Sequence, residues 1–116
     1  LGICAVALLT SAHYEYHHHA PEYLKAGGTQ AELEGLKRAI DANPADGVND
    51  PALDEMSQWV VHYAAQMTLR VKVEETLFRQ LQSRLNTTEI VELTTAIAAY
   101  NMVARLLVAL EVSPEE

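Results

Sequence analysis

The chain has 116 residues, 49% of them hydrophobic and 21% charged, with 5 Gly, 4 Pro and a single Cys. That length makes one domain, spanning residues 1–116, and the chain is far too apolar to stay disordered. One cysteine excludes an intramolecular disulfide and any multi-cysteine metal or iron–sulfur site. A net charge of −8 argues against nucleic acid as a partner, because there is no surplus of Lys or Arg to neutralise phosphates.

Taken in chain order, the pattern is helical throughout. Residues 1–12 (LGICAVALLTSA) form an all-round apolar stretch of the kind buried on every side. It resembles a signal-peptide core but lacks the basic region such a segment carries, and it is too short to span a bilayer. Its abrupt apolar start leads us to expect an N-terminally incomplete domain. A second helix is predicted over 13–26, kinked by Pro21 and ended by Gly27-Gly28. Thr29 and Glu32 have the spacing of a capping box that opens a third helix. This helix carries Leu33, Leu36 and Ile40 on one face and a Glu34/Arg38 pair, four residues apart, on the other.

Residues 41–50 (DANPADGVND) read as the one clear loop, ending in Asp50-Pro51, an N-cap followed by proline at the first helical position. A fourth helix then places Leu53, Met56, Val60, Tyr63 and Met67 on one stripe. A fifth, about 74–85, buries Leu77, Phe78, Leu81 and Leu85. Asn86 and Glu89 form another capping box, starting a helix of about 24 residues that stops before Ser113-Pro114. In this last helix Ile90, Leu93, Ile97, Tyr100, Ala104 and Leu107 form one stripe, and Ala99, Val103, Leu106 and Leu110 form a second beside it. Glu92, Arg105 and Glu111 interrupt it, which argues against a membrane span. A helix apolar on two sides is either the central core helix of a monomer or a subunit interface, and we read it as an interface. The expected class is all-α.

Polar chemistry concentrates in residues 13–23 (HYEYHHHAPEY), which hold four of the five histidines. Consecutive helical positions project about 100° apart, so the His17-His18-His19 run cannot present three ligands to one metal. The pairs that share a face are His13/His17 and Glu15/His19, with Glu22 near the second. A carboxylate one turn from an imidazole orients the ring and raises its basicity, which is a proton-transfer arrangement. Glu15 with His19 is the pair selected, while His17 and His18 are read as a solvated face.

Sharper motifs fall away. Glu15-x-x-His18 has the spacing of a di-iron half-site, but the other histidine that would be needed, His62, has Trp59 where a glutamate belongs. His13-x-Glu15 lacks the Pro-Cys-x-x-Cys half of a zinc deaminase. Cys4 lies in an apolar helix, where thiols are inert. His62 falls on the Glu55, Gln58 and Gln66 side of its helix and reads as solvated, whereas Trp59 flanks the apolar stripe and reads as core or interface.

The order Leu8-Leu9-Thr10-Ser11-Ala12-His13-Tyr14-Glu15-Tyr16-His17-His18-His19-Ala20-Pro21, then Ala26-Gly27, resembles the carboxymuconolactone decarboxylase family. So does the stretch from Glu89-Ile90-Val91-Glu92-Leu93 through Ala99-Tyr100-Asn101-Met102-Val103-Ala104-Arg105-Leu106-Leu107-Val108-Ala109-Leu110. That family shares its helical fold with the alkylhydroperoxidase D proteins, and the resemblance implies an oligomeric bundle of about six helices. The peroxidase branch carries Cys-x-x-Cys followed by a histidine. Here the corresponding positions hold Ala12, Glu15 and His19, so disulfide-based peroxide reduction is not expected.

The Tyr14-Glu15-Tyr16-x-x-His19 version resembles the decarboxylase-type members. It implies cofactor-free, metal-free acid/base chemistry, a decarboxylation or isomerisation on a small carboxylated lactone or related acid. In that reading Glu15 and His19 are the acid and base, and Tyr14 or Tyr16 donates to a developing enolate. The resemblance further implies a homo-oligomer, trimer or hexamer, and a glutamate one helix upstream that would fall before Leu1. A cytoplasmic location is expected. The alternatives are a non-catalytic oligomeric protein that binds a small acid or metal, and a residual antioxidant role through Cys4.

Overall fold

The computed structural model describes residues 1–10 and 13–111, with side chains described at 1–10 and 19–111. Among the described residues there are six α-helices and no strand: α1 (Gly2–Leu9), α2 (His13–Lys25), α3 (Gln30–Asp41), α4 (Glu55–Arg70), α5 (Glu75–Gln82) and α6 (Thr87–Ala109). The protein is all-α.

Helix α1 is the centre of the bundle. Gly2, Cys4, Ala5, Val6 and Ala7 are buried, and the helix packs against α2, α3, α4 and α6. Its side chains are small, so neighbouring helices approach closely; a Cβ on Gly2 would already touch Val60 of α4 and Ile97 and Leu93 of α6. The helix is shorter than the predicted 1–12. It stops at Leu9, where the Thr10 amide and hydroxyl both donate to the Val6 carbonyl, at 3.0 and 2.7 Å. Residues 11 and 12 lie outside the described residues.

Both capping boxes form. Glu32 N–H donates to Thr29 Oγ1 at 3.1 Å while Thr29 N–H donates to Glu32 Oε1 at 2.8 Å. Glu89 N–H donates to Asn86 Oδ1 at 2.8 Å and Asn86 N–H to Glu89 Oε1 at 3.0 Å. These exchanges satisfy amides that a helix start leaves open. In α3 the predicted face is buried at Leu33 and Leu36 and half-buried at Ile40.

Two predicted features of this region are replaced by a tertiary one. Arg38 does not rest on Glu34; its guanidinium forks onto Asp50, Nε to Oδ2 at 2.9 Å and Nη2 to Oδ1 at 3.0 Å. Asp50 is therefore not the cap of α4. It also accepts the Ala52 N–H at 2.9 Å, closing a turn, and α4 starts at Glu55, with Asp54 accepting the Ser57 N–H at 2.7 Å. The carboxylate finds a bidentate cation across the fold, which outcompetes one helix amide. Gly35 permits the approach, since a Cβ there would lie 2.9 Å from Ala52 Cβ and 3.0 Å from Asp50 Oδ1.

Helix α4 is buried on more sides than one stripe. Tyr63 of the predicted stripe is buried, but Met56, Val60 and Met67 are half-buried and Leu53 precedes the helix. Its deepest residues include Val61, Ala64, Ala65, Gln66 and Thr68, because α1, α5 and α6 all rest on it. Gln66, fully buried, is paired at both ends of its amide: Nε2 donates to the Ala45 carbonyl at 3.0 Å and Oε1 accepts the Glu74 N–H at 2.8 Å. One side chain thus holds the loops on both sides of α4. His62 is not solvated as expected. It is half-buried, with Nε2 3.1 Å from the same Ala45 carbonyl oxygen and 3.1 Å from the Gln66 side-chain nitrogen. Trp59 packs against the core with the Arg84 guanidinium 5.0 Å from its ring centroid.

Helix α4 ends in strain. Val71 has φ 66° and ψ −50°, and the Lys72 N–H donates to the Arg70 carbonyl at 2.7 Å, a γ-turn of the rarer positive-φ kind. Helix α5 is shorter than predicted and buries Leu77 and Leu81, with Phe78 half-buried beside Tyr63. Tyr63 donates to Thr94 Oγ1 at 2.7 Å, and Thr94 in turn donates to the Ile90 carbonyl.

The first stripe of α6 is buried at Ile90, Ile97 and Ala104. The second faces outward, with Leu106 55% and Leu110 73% exposed. By length and composition α6 is long and apolar enough to cross a membrane; in the fold it packs against α1, α4 and α5.

Several carboxylates are held below their ordinary range: Asp50 by Arg38 and the Ala52 amide, Asp54 by Ser57, and Glu32 by Thr29. Each contributes stability that is present above the ordinary aspartate value of 3.8 or glutamate value of 4.5 and is lost as pH falls through the lower folded value. Urea unfolding should therefore show a stability plateau near neutrality that declines in acid. Asp50→Asn should unfold at lower urea at pH 7 and lose less on acidification than the parent. An acid limb of unchanged steepness would contradict the role given to Asp50.

Candidate functional site at the contact of α2 and α6

Helix α2 runs without a break through Pro21 to Lys25 and closes with a double hydrogen bond. Gly28 N–H donates to the Tyr23 carbonyl at 3.0 Å and Gly27 N–H to the Leu24 carbonyl at 3.2 Å, with Gly27 at φ 101°. This is a Schellman closure, for which glycine at the positive-φ position is suited. The Tyr23 ring lies directly on Gly28, where a Cβ would come within 2.2 Å of ring carbon Cε2. Burial, with the hydrogen bond to Glu32 second, pushes the Tyr23 phenol up to about 12. The C-terminal end of α2 is thereby fastened to the start of α3.

That anchorage sets the height of His19, one turn before Tyr23 on the same helix. His19 is half-buried, and its ring meets Tyr100 of α6 edge to face, centroids 4.9 Å apart and planes at 86°. Tyr100 is itself half-buried and packed against the core. The next residue ties α6 to α4: Asn101 Nδ2 donates to Thr68 Oγ1 and to the Ile97 carbonyl, each at 3.0 Å. Arg105 donates to Asn101 Oδ1 and, at 3.2 Å, to the Thr68 carbonyl. The backbone that carries Tyr100 beneath His19 is thereby tied to α4.

Of the predicted site residues, Glu15 stands one helical turn before His19 on α2, and Tyr14 and Tyr16 flank it. The side chains of Tyr14, Glu15 and Tyr16 lie outside the described residues. From the sequence, Tyr100 belongs to the first stripe of α6 and to the stretch that carries the family resemblance, with no site role attached. Its signal was weak, an aromatic with a polar tip at a core position, and the partner lies on a helix distant in the chain.

Other chemistry-bearing groups do not join this contact. Cys4 is buried in α1, where desolvation pushes its thiol up and away from the thiolate. His62 is engaged with the Ala45 loop. Among the described residues, no three His, Cys, Asp or Glu side chains gather as a metal site. Cavities lined by described residues open elsewhere, one of about 510 Å³ beside Arg70, Lys72 and Glu74 and another of about 290 Å³ beside Arg38 and Asp50. The chain matches no protein-family model, no curated protein and no solved structure.

The anchorage of α2 is testable at Gly28. Gly28→Ala drives a methyl into the Tyr23 ring and should destabilise the fold by about 1–3 kcal/mol, the usual range for overpacking. Chemical denaturation of the two proteins measures it, and an unchanged midpoint would show that Tyr23 does not seat there.

Proposed function

We propose that this chain is a carboxymuconolactone decarboxylase-like protein that performs acid/base chemistry without a cofactor on a small carboxylated lactone or related acid. Glu15 and His19 are the acid and base. In a decarboxylation the bond to the departing carboxylate breaks, its electron pair passes into an enolate, and the acid returns a proton to carbon. In an isomerisation the same pair removes a proton at one carbon and delivers it at another. Tyr14 or Tyr16 donates a hydrogen bond to the enolate oxygen, where negative charge develops.

The observation that supports this reading is the setting of His19. The imidazole is half-buried and held against Tyr100, with Glu15 one turn away on the same helix. A half-buried imidazole set against an aromatic ring, one helical turn from a glutamate, suits proton transfer near neutral pH. The protein acts as a homo-oligomer, a trimer or hexamer, in which the outward stripe of α6 is covered by neighbouring copies. The exposure of Leu106 and Leu110 supports that arrangement.

Turnover of carboxylated lactones, followed by loss of their ultraviolet absorbance, should fall about 10²–10⁴-fold in His19→Ala, the usual contribution of general acid–base catalysis. Equal rates in the two proteins would remove His19 from the chemistry. Saturable binding of a small acid with no turnover would favour a non-catalytic binding protein. Light scattering at micromolar concentration should report an oligomer that Leu106→Asp dissociates. A monomeric parent protein would overturn the assembly.

A further inference from the structure

The contact between His19 and Tyr100 carries one step more. We infer that Tyr100 is a positioning residue, and that its ring, more than its hydroxyl, fixes the orientation of the His19 imidazole. This rests on the reading of His19 as an acid/base group. The two rings stand at 86° with centroids 4.9 Å apart, a geometry in which the electron-rich face of one ring meets the electron-poor edge of the other. A perpendicular pair of this kind resists rotation of either ring. Among the described residues the Tyr100 hydroxyl makes no hydrogen bond, so nothing in that set assigns the phenol oxygen a structural duty.

Tyr100 is well placed for the task. It lies between Ile97 and Ala104, which are 1% and 0% exposed, and beside Asn101, which is pinned to α4. Its backbone is therefore held by contacts that do not involve α2. The imidazole takes its height from the helix that also carries Glu15, and meets a perpendicular ring presented by a different helix. An imidazole that must accept a proton and return it elsewhere on a substrate requires this fixed tilt, because misalignment by about 1 Å can reduce rate on the order of a hundredfold.

The test uses the full chain with Tyr100→Phe, Tyr100→Leu and Tyr100→Met. Side-chain NMR of His19 reads ring orientation through nuclear Overhauser contacts and does not depend on any substrate. The parent and Tyr100→Phe should show one orientation, while Tyr100→Leu and Tyr100→Met should show an average of several, each read below its own thermal midpoint where the variant is folded. With a turned-over lactone, kcat should fall about tenfold or more in the Leu and Met variants with KM nearly unchanged, and Phe should restore it. A single His19 orientation in both aliphatic variants, or a Phe variant that behaves like them, would overturn the inference. Absence of turnover with an ordered His19 in the Phe variant alone would count against the proposed reaction and leave the positioning role standing.

Discussion

Everything in this fold leans on the burial of α1. A helix of eight residues whose side chains are mostly small and apolar offers close approach on every side, and four of the other five helices use it. The contact between α2 and α6 is a by-product of this arrangement. Both helices rest on α1, and at that shared support His19 meets Tyr100. The candidate site is therefore positioned by packing that contains none of its chemistry.

Around that apolar centre, a few buried polar groups settle where the loops go. Gln66 reaches Ala45 on one side and Glu74 on the other, and Arg38 grips Asp50 with two hydrogen bonds. Such groups are unforgiving, because a buried amide deprived of its partner loses what water would have given it. They convert the long segment between α3 and α4 from a flexible connection into a specified path, with Gln58 adding bonds to the Asp50 and Leu53 carbonyls at 3.1 and 3.0 Å.

What could be read from the sequence was chiefly what local chemistry decides. The exchanges at Thr29 with Glu32 and at Asn86 with Glu89 need only residues within one turn, and both were legible. So was the stop at Gly27-Gly28, a backbone requirement. Asp50 misled because its side chain is equally suited to a helix start and to a guanidinium, and only the folded chain brings Arg38 within reach. His62 misled for a related reason. Its helical face is polar, and a polar face docked on a loop carries the same residue pattern as one bathed in water. At the candidate site the relation of Glu15 to His19 was legible as one turn of helix. The role of Tyr100 was not, since edge-to-face contact leaves no trace in residue spacing when the rings belong to helices at opposite ends of the chain.

The composition of α1 also bears on how the molecule comes together. Eight residues are too few to hold a helix in water unaided, so its helicity is imposed by neighbours. Helices α3 and α6 differ, since each is longer and opens on a capping box of its own. The contact of α1 with α6 joins segments more than 75 residues apart, and bringing such distant segments together costs loop-closure entropy. Burial of α1 is thereby tied to closing the long separation between it and α6, so the helix least able to stand alone depends on the most distant of its partners.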